Sequence, residues 1–291
     1  MNIGDKIKDY GSISKFRLSF SVIISAWAGY LFMGGGSFLD TIYLLVGGIL
    51  VTGSSNASNQ IWERNLDAKM SRTSHRPIAS GKMSVKEAVI TIAVALTIGF
   101  WMLYQLNFNA MILGMIAYTS YTFVYTPSKR VTPWAVVIGA FPGAIPPMIG
   151  VVAADPEGRF TAIAGALFFV QFVWQLPHFW AIAWVAHDDY QKAGFFLLPS
   201  RTGRSKTSAF RIALSCLILI PFSLFPWAMD IEGLGLFTLM MASIFGLIFF
   251  LYSYKLYLTL EIKDAKVLMF ASFFYLPLVQ FTYVIDKFLF H

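Results

Sequence analysis

One cysteine, Cys216, in 291 residues rules out an intrachain disulfide and any cysteine-built metal cluster. Charge is scarce too: Asp, Glu, Lys and Arg make up 13% of the chain, against about 25% in soluble globular proteins. Half the usual share leaves too few charges to cover a water-soluble globule of this size, so the class is integral membrane. Polar low-complexity sequence is nearly absent, which argues against a disordered chain. No G-x-x-x-x-G-K-[ST], G-x-G-x-x-G or H-E-x-x-H motif occurs, and without a nucleotide motif an ATP-driven pump is excluded.

What is present is apolar: 57% hydrophobic and 17% aromatic residues, with a mean hydropathy of +0.65. A spanning helix needs about 20 mostly apolar residues. Nine such runs are expected, at 17–36, 41–60, 85–104, 109–127, 132–153, 160–186, 208–229, 233–255 and 266–286. The second and sixth turn polar at their C-terminal ends. Ten-residue alternation is missing, which speaks against an outer-membrane barrel. The first run is too long for a cleavable signal, and Gly34–Gly36 reads as a tight turn. The expected fold class is therefore an all-α, polytopic membrane protein forming a single domain over residues 1–291.

Nine spans divide the loops into two sets. One set, at residues 1–17, 61–86, 128–131, 187–211 and 255–266, holds 20 of the 22 Lys and Arg; the other holds only Arg159 and Lys287. With Glu87, at the inner end of the third span, counted on the first side, that side carries a net charge of +11 and the other −4, so the overall +7 conceals two unlike faces. The positive-inside rule then puts the N-terminus inside and the C-terminus outside. No Arg- and Ser-rich transit segment is evident, and the expected location is a bacterial plasma membrane.

The polar chemistry gathers on the inner side. Asn59, Glu63 and Asp67 are spaced i, i+4, i+8, which drifts only about 80° around a helix, so all three line one face. Asn56 extends the stripe one turn back. Two carboxylates with an amide oxygen suit Mg²⁺, a hard cation that takes oxygen ligands. Arg64, Lys69, Arg72 and Arg76 follow closely, and guanidinium groups bind phosphate bidentately. The same residues also fit a solvated helix end with internal ion pairs such as Glu63 with Lys69 or Arg64 with Asp67. Against that stands the cost of Asn56, Asn59 and Gln60 within an otherwise apolar span, since polar groups at membrane depth usually face a cavity.

The stretch Val173–Tyr190 supplies Gln175, His178, His187, Asp188 and Asp189. Pro177 is expected to kink or break the sixth span just before His178. The run Gly139–Gly150, with Pro142, Pro146 and Pro147, is expected to break the fifth. His178 is either a functional residue or a histidine bridging two helices through hydrogen bonds. Tyr118, Tyr121 and Tyr125 fall on one helical face with Lys129 and Arg130 just beyond. They suit either diphosphate oxygens or an ordinary interfacial belt. Asn56, Asp67 and Pro77 repeat the spacing of His178, Asp189 and Pro199, an echo that suggests two acidic sites facing each other across a pseudo-twofold.

These residues resemble the UbiA-type intramembrane prenyltransferases, and within them the branch that farnesylates haem. The resemblance runs from the first span to the ninth. It rests on Asn59, Glu63 and Asp67, on Tyr125 and Lys129, and on the runs Met70–Pro77, Lys129–Pro133, Gly143–Pro147, Pro177–Ala181 and Asp188–Gly194. Glu63 stands where Asp is commoner and Asn65 where this branch often has an acid. The second acidic motif of quinone-prenylating relatives has no counterpart here.

The resemblance implies a helical bundle with a central cavity opening at the inner face, with farnesyl diphosphate and haem B as substrates. Mg²⁺ is the implied cofactor, held by Asn59, Glu63, Asp67 and, at a second position, Asp189. Arg72, Arg76, Tyr125 and Lys129 would join in catalysis. Asn56, Arg64, Lys69, Arg130, His178, His187, Asp188 and Asp189 would bind haem or diphosphate. Partners would be membrane lipid and haem A synthase or oxidase assembly factors, with no nucleic acid. A prenyltransferase for a quinone or aromatic precursor, or a secondary transporter of an anionic lipid or metabolite, remains open at this point.

Overall fold

The structure, a computed structural model, describes residues 3–132 and 134–290; Pro133, the end of the Lys129–Pro133 run, lies outside them. The described residues are all helical apart from their connections. A short α1 (Ile3–Ile13) precedes α2 (Phe16–Phe32), α3 (Phe38–Asp67) and α4 (Val85–Leu106). Next, α5 (Phe108–Thr119) runs through a π-helical turn (Ser120–Tyr125) into the single turn α6 (Thr126–Ser128). After these come α7 (Ala135–Ala154), α8 (Ala162–Val185), the short α9 (His187–Lys192), α10 (Lys206–Ala228), α11 (Leu236–Thr259) and α12 (Ile262–Leu289). Seven of them, α3, α4, α7, α8, α10, α11 and α12, are long and apolar enough to cross a membrane by length and composition.

Local chemistry sets the helix starts. Ser37 and Asp40 form a capping box at α3. Ser84, Asn107 and Ser205 each accept a backbone N–H of the first turn of α4, α5 and α10. Exposed Val94, Ile98 and Trp101 on α4, Leu247 and Leu251 on α11 and Phe270 and Phe274 on α12 give the outer surface its apolar character. In water such continuous apolar faces are unusual; against lipid tails they are the expected solvent-facing side.

At the centre, α7 packs between α2 and α8 with small residues at the crossings. A Cβ on Gly150 would overlap the carbonyl oxygen of Ala26, so the two backbones meet there directly.

Two sequence expectations are corrected. Neither α7 nor α8 breaks: Pro142, Pro146 and Pro147 lie within one helix, and Pro177 lies within another. A proline costs a helix its i to i−4 bond, but α8 supplies a replacement donor. Gln171 Nε2 donates to Gly143 O at 2.7 Å, the carbonyl that Pro147 cannot serve. Gln175 Nε2 donates to Ala140 O at 3.1 Å, and Gln280 Nε2 of α12 donates to Gln171 Oε1 at 3.0 Å. An amide relay thus runs from α12 through α8 to α7, ending on the Gly143 carbonyl that Pro147 leaves open.

Candidate active site

A cavity of about 320 Å³ runs into the bundle from the ends of α3, α6 and α8. Its mouth is charged and its depth apolar and aromatic. Asn59, Glu63 and Asp67 line it as successive turns of α3, 1%, 5% and 1% exposed. Arg72, Arg76, Tyr121, Tyr125 and Lys129 complete the mouth. Farther along the wall stand Val51, Val136, Pro142, Trp174, His178, Phe179 and Phe273.

The carboxylates carry ion pairs different from those the spacing suggested. Asp67 Oδ2 takes Arg76 Nη1 at 2.7 Å, and Glu63 Oε1 takes Lys129 Nζ at 2.9 Å. Asp67 Oδ1 is buried with no hydrogen-bond partner among the described residues. Asn59 Nδ2 donates to Thr126 Oγ1 at 3.2 Å, and Thr126 Oγ1 donates to Tyr121 O at 2.9 Å. The amide's donor end is therefore committed, leaving Oδ1 as its free acceptor. Open oxygens from Asn59, Glu63 and Asp67 on one helical face are the donor set a hard divalent cation takes.

The π-helical turn places Tyr121 and Tyr125 in the wall, while Tyr118 turns away to Ser58 Oγ, 3.1 Å from its hydroxyl. Lys129 Nζ also stands 4.6 Å from the centroid of the Tyr125 ring. Burial works against charge on Lys129, but Glu63 overrides it and holds the lysine above its ordinary range. Lys15, at the corner between α1 and α2, lines the same mouth. Burial, with Arg76 and Lys129 adding to it, pushes its ammonium down to about 7.

His178 is 5% exposed, stacked on Trp174 at 4.5 Å and edged by Phe273 at 5.0 Å. Its Nδ1 lies 2.6 Å from Ser272 Oγ, which gives its one proton to Met269 O at 2.5 Å. Nδ1 is then the N–H donor to Ser272, and Nε2 keeps its lone pair.

Several expected site residues lie elsewhere. Arg64 is exposed and bonds Ile61 O at 3.0 Å, because one residue past Glu63 is about 100° around α3. Lys69 is exposed beyond the end of that helix. Arg130 bonds Trp62 O at 2.9 Å. His187 borders a separate small pocket, and Asp188 pairs with Arg204 at 3.2 Å. Asp189 is not in the cavity wall; it accepts Ser71 Oγ at 3.0 Å, the Arg72 amide at 3.4 Å and Lys192 Nζ at 3.2 Å. The echo of the two acidic regions thus has a spatial meaning, since they meet through Ser71, but only one faces the cavity. Asn56 borders the cavity while its amide serves Ser14 O and Ser19 Oγ.

Sequence reasoning passed over Gln171, Thr126, Ser272 and Lys15. Gln171 carried a usable signal, an amide in an apolar span one turn before Gln175. Ser272, Thr126 and Lys15 carried none, since their roles depend on which helices meet.

Known proteins resemble this chain in sequence and in fold. Residues 22–276 match the UbiA prenyltransferase family. The protoheme IX farnesyltransferase of Cytophaga hutchinsonii is 42% identical, covering 98% of this chain and 99% of that one. That of Flavobacterium psychrophilum is 46% identical over 97% and 95% of the two chains. Among solved structures, digeranylgeranylglyceryl phosphate synthase superposes with a TM-score of 0.77 at 18% identity, covering 97% of this chain and 99% of that one. A UbiA homolog from Archaeoglobus fulgidus bound to GPP and Mg²⁺ gives 0.67 at 15% identity, with 95% and 99% covered. On the family match and on full-length relatives above 40% identity, this chain belongs to the UbiA prenyltransferase family.

Proposed function

We propose that this enzyme transfers the farnesyl group of farnesyl diphosphate to the 2-vinyl group of haem B, with addition of water, giving haem O and diphosphate. One observation carries the reading: a single cavity joins a cation-rich, acid-lined mouth to an aromatic pocket containing His178. Full-length relatives named protoheme IX farnesyltransferase support haem as the acceptor.

Asn59, Glu63 and Asp67 would hold Mg²⁺, and Asp67 Oδ1, buried and without a hydrogen-bond partner among the described residues, is the oxygen that most supports this. Mg²⁺ supplies charge neutralisation at the diphosphate oxygens. Arg72, Arg76 and Lys129 bind the same group, and their positive charge stabilises the electron pair that leaves with it when the C1–O bond breaks. Tyr121 and Tyr125 close the mouth over that bond. The allylic cation forms among aromatic and aliphatic side chains that keep water away from C1. The vinyl π-electrons form the new C–C bond to C1. Water then adds to the cation left on the acceptor, losing one proton and leaving a hydroxyethylfarnesyl substituent.

His178 orients the haem through the lone pair on Nε2, fixed by the Ser272 hydrogen bond on the opposite nitrogen. The pair of rings beside it, Trp174 and Phe273, suits the face of a planar macrocycle. Asp189 acts one step back: by holding Ser71 and the Arg72 amide it fixes the loop carrying Arg72 and Arg76.

The chain crosses the membrane nine times in this reading. The shorter α2 and the rod formed by α5, the π-turn and α6 join the seven longer helices. With that count the basic loops fall on one side, the cytoplasmic face of a plasma membrane, where the cavity mouth also lies. Oxidase assembly factors and haem A synthase are the expected takers of the product.

Incubating the purified protein with farnesyl diphosphate, haem B and Mg²⁺ tests the reading. Release of pyrophosphate with a farnesylated haem is the expected result. Pyrophosphate release only with a quinone precursor would reassign the acceptor. Neither release nor product, with ion-driven uptake in vesicles, would replace the enzyme by a transporter.

A further inference from the structure

The corner between α1 and α2 brings a cation to the cavity mouth for which the site has no acid left. Only Ser14 and Lys15 separate the two helices. Lys15 sits at φ 46° and ψ 54°, the left-handed region disfavoured for every residue with a Cβ. Glycine adopts that backbone freely, yet a long cationic side chain occupies the position. Strain of this kind persists where the surrounding structure imposes it, and it points to a use for the side chain.

The surroundings do impose it. Gln60 Nε2 of α3 donates to Ile13 O at 2.9 Å and to Ser12 O at 3.3 Å. Asn56 Nδ2, one turn earlier, reaches Ser14 O at 3.4 Å and Ser19 Oγ at 3.3 Å, and Ser19 Oγ donates to Ser14 O at 2.9 Å. Two side-chain amides thus bind the carbonyls at the end of α1, where a helix terminus leaves acceptors open. A Cβ on Gly53 would stand 3.0 Å from Ser14 Cβ, so the bare backbone of α3 lets the corner come this close.

Held this way, Lys15 lines the cavity with Glu63, Asp67, Arg76 and Lys129. Both acids are already taken, Asp67 by Arg76 and Glu63 by Lys129. Lys15 has no ion-pair partner among the described residues, so its amino group is left for an incoming polyanion to pair with.

We propose that Lys15 is a further binding residue for the diphosphate of the prenyl donor, and that Asn56 and Gln60 are positioning residues acting through it. This rests on the prenyl-diphosphate reading above. The roles of α3 are then split by side: one face carries the metal-binding acids, and the amides fasten the corner that brings a fourth basic residue, after Arg72, Arg76 and Lys129, to the mouth.

Isothermal titration of the full-length protein in detergent with inorganic pyrophosphate and Mg²⁺ tests this without turnover. Lys15→Gln should weaken pyrophosphate binding about 10- to 100-fold, the range for a lost charge-assisted hydrogen bond. Haem binding, followed by the Soret band, should not change. Lys15→Arg should keep most of the affinity. Lys15→Gly should raise the melting temperature while lowering pyrophosphate affinity, a divergence that a purely structural lysine would not produce. Asn56→Ala with Gln60→Ala should weaken pyrophosphate binding when Lys15 is present and add nothing in the Lys15→Gln background. Unchanged affinity in Lys15→Gln, with the wild type binding pyrophosphate, overturns this proposal alone. A wild type that takes no pyrophosphate overturns the prenyl-diphosphate reading and this proposal with it.

Discussion

Gln171 donates its side-chain amide to the backbone oxygen of Gly143 at 2.7 Å, taking the place of the N–H that Pro147 lacks. Gln280 in turn donates to Gln171 Oε1 at 3.0 Å. Replacing Gln171 by Leu leaves a buried carbonyl unpaired and removes the acceptor for Gln280. The expected loss is about 1–3 kcal/mol of stability, read as a lower melting temperature in detergent. Adding Pro147→Ala should recover much of it, because the new N–H can serve Gly143 O within the helix. If the double variant is no more stable than Gln171→Leu alone, the amide is not a substitute for the backbone bond.

Glu63 and Lys129 are both needed for the proposed chemistry and also make up a buried pair. Glu63→Gln or Lys129→Met alone should lower stability, by about 3–5 kcal/mol where a charge is left buried without its partner. The double variant Glu63→Gln with Lys129→Met should regain stability while remaining inactive. Thermal unfolding and pyrophosphate release on the same preparations separate the two roles. Recovered turnover in the double variant would remove the pair from the reaction.

The stripe Asn59, Glu63, Asp67 was legible in the sequence because its spacing is a property of one helix, and one helix is what it lies on. The same logic misplaced Arg64 and Lys69. Nearness along the chain is not nearness in space, and Arg64 leaves the stripe within a single residue. The prolines of α7 misled for a related reason. Proline's effect on an isolated helix is local, but the donor that repairs it comes from α8, 28 residues along the chain. Lys15 was visible only as a charge that fixes topology. Its closeness to Arg76 and Lys129 comes from the packing of α1 against α3, which no periodicity encodes.

Thr126 sits between Asn59 Nδ2 and Tyr121 O, accepting from one and donating to the other. Without that hydroxyl the amide is free to turn, and its Oδ1 no longer faces the site reliably. Thr126→Val should raise the Mg²⁺ concentration needed for pyrophosphate binding about 10-fold or more, the scale of a lost partner behind a metal ligand. Thr126→Ser should stay close to wild type. An unchanged Mg²⁺ requirement in the valine variant would show that Asn59 is held by other contacts.

Asp67 combines an oxygen bound to Arg76 with one that is buried and has no hydrogen-bond partner among the described residues. Asp67→Asn keeps the shape of the side chain and removes its charge. Turnover should fall by a factor of about 100 or more, since neutralisation of the departing diphosphate is the main catalytic effect here. Expression should stay near wild type while the melting temperature falls, because Arg76 loses its buried carboxylate partner, so turnover is compared at a temperature where the variant is folded. Normal activity in this variant would take Asp67 out of the metal site.

His178 and Ser272 allow the haem end of the cavity to be tested separately from the diphosphate end. With Nδ1–H given to Ser272, the lone pair on Nε2 is free to meet haem iron. Haem added to the wild type should give a Soret band shifted from that of free haem, and His178→Ala should lose the shift while still binding pyrophosphate with Mg²⁺. Ser272→Ala removes only the hydrogen bond that fixes the ring. Its Soret band should keep the wild-type position but need several-fold more haem to saturate. If His178→Ala leaves the Soret band unchanged, the ring does not ligate iron, and its stacking on Trp174 at 4.5 Å is then its contribution to the pocket. If Ser272→Ala shifts the band itself, the hydrogen bond selects which nitrogen faces the metal, because losing it frees the ring to take the other tautomer.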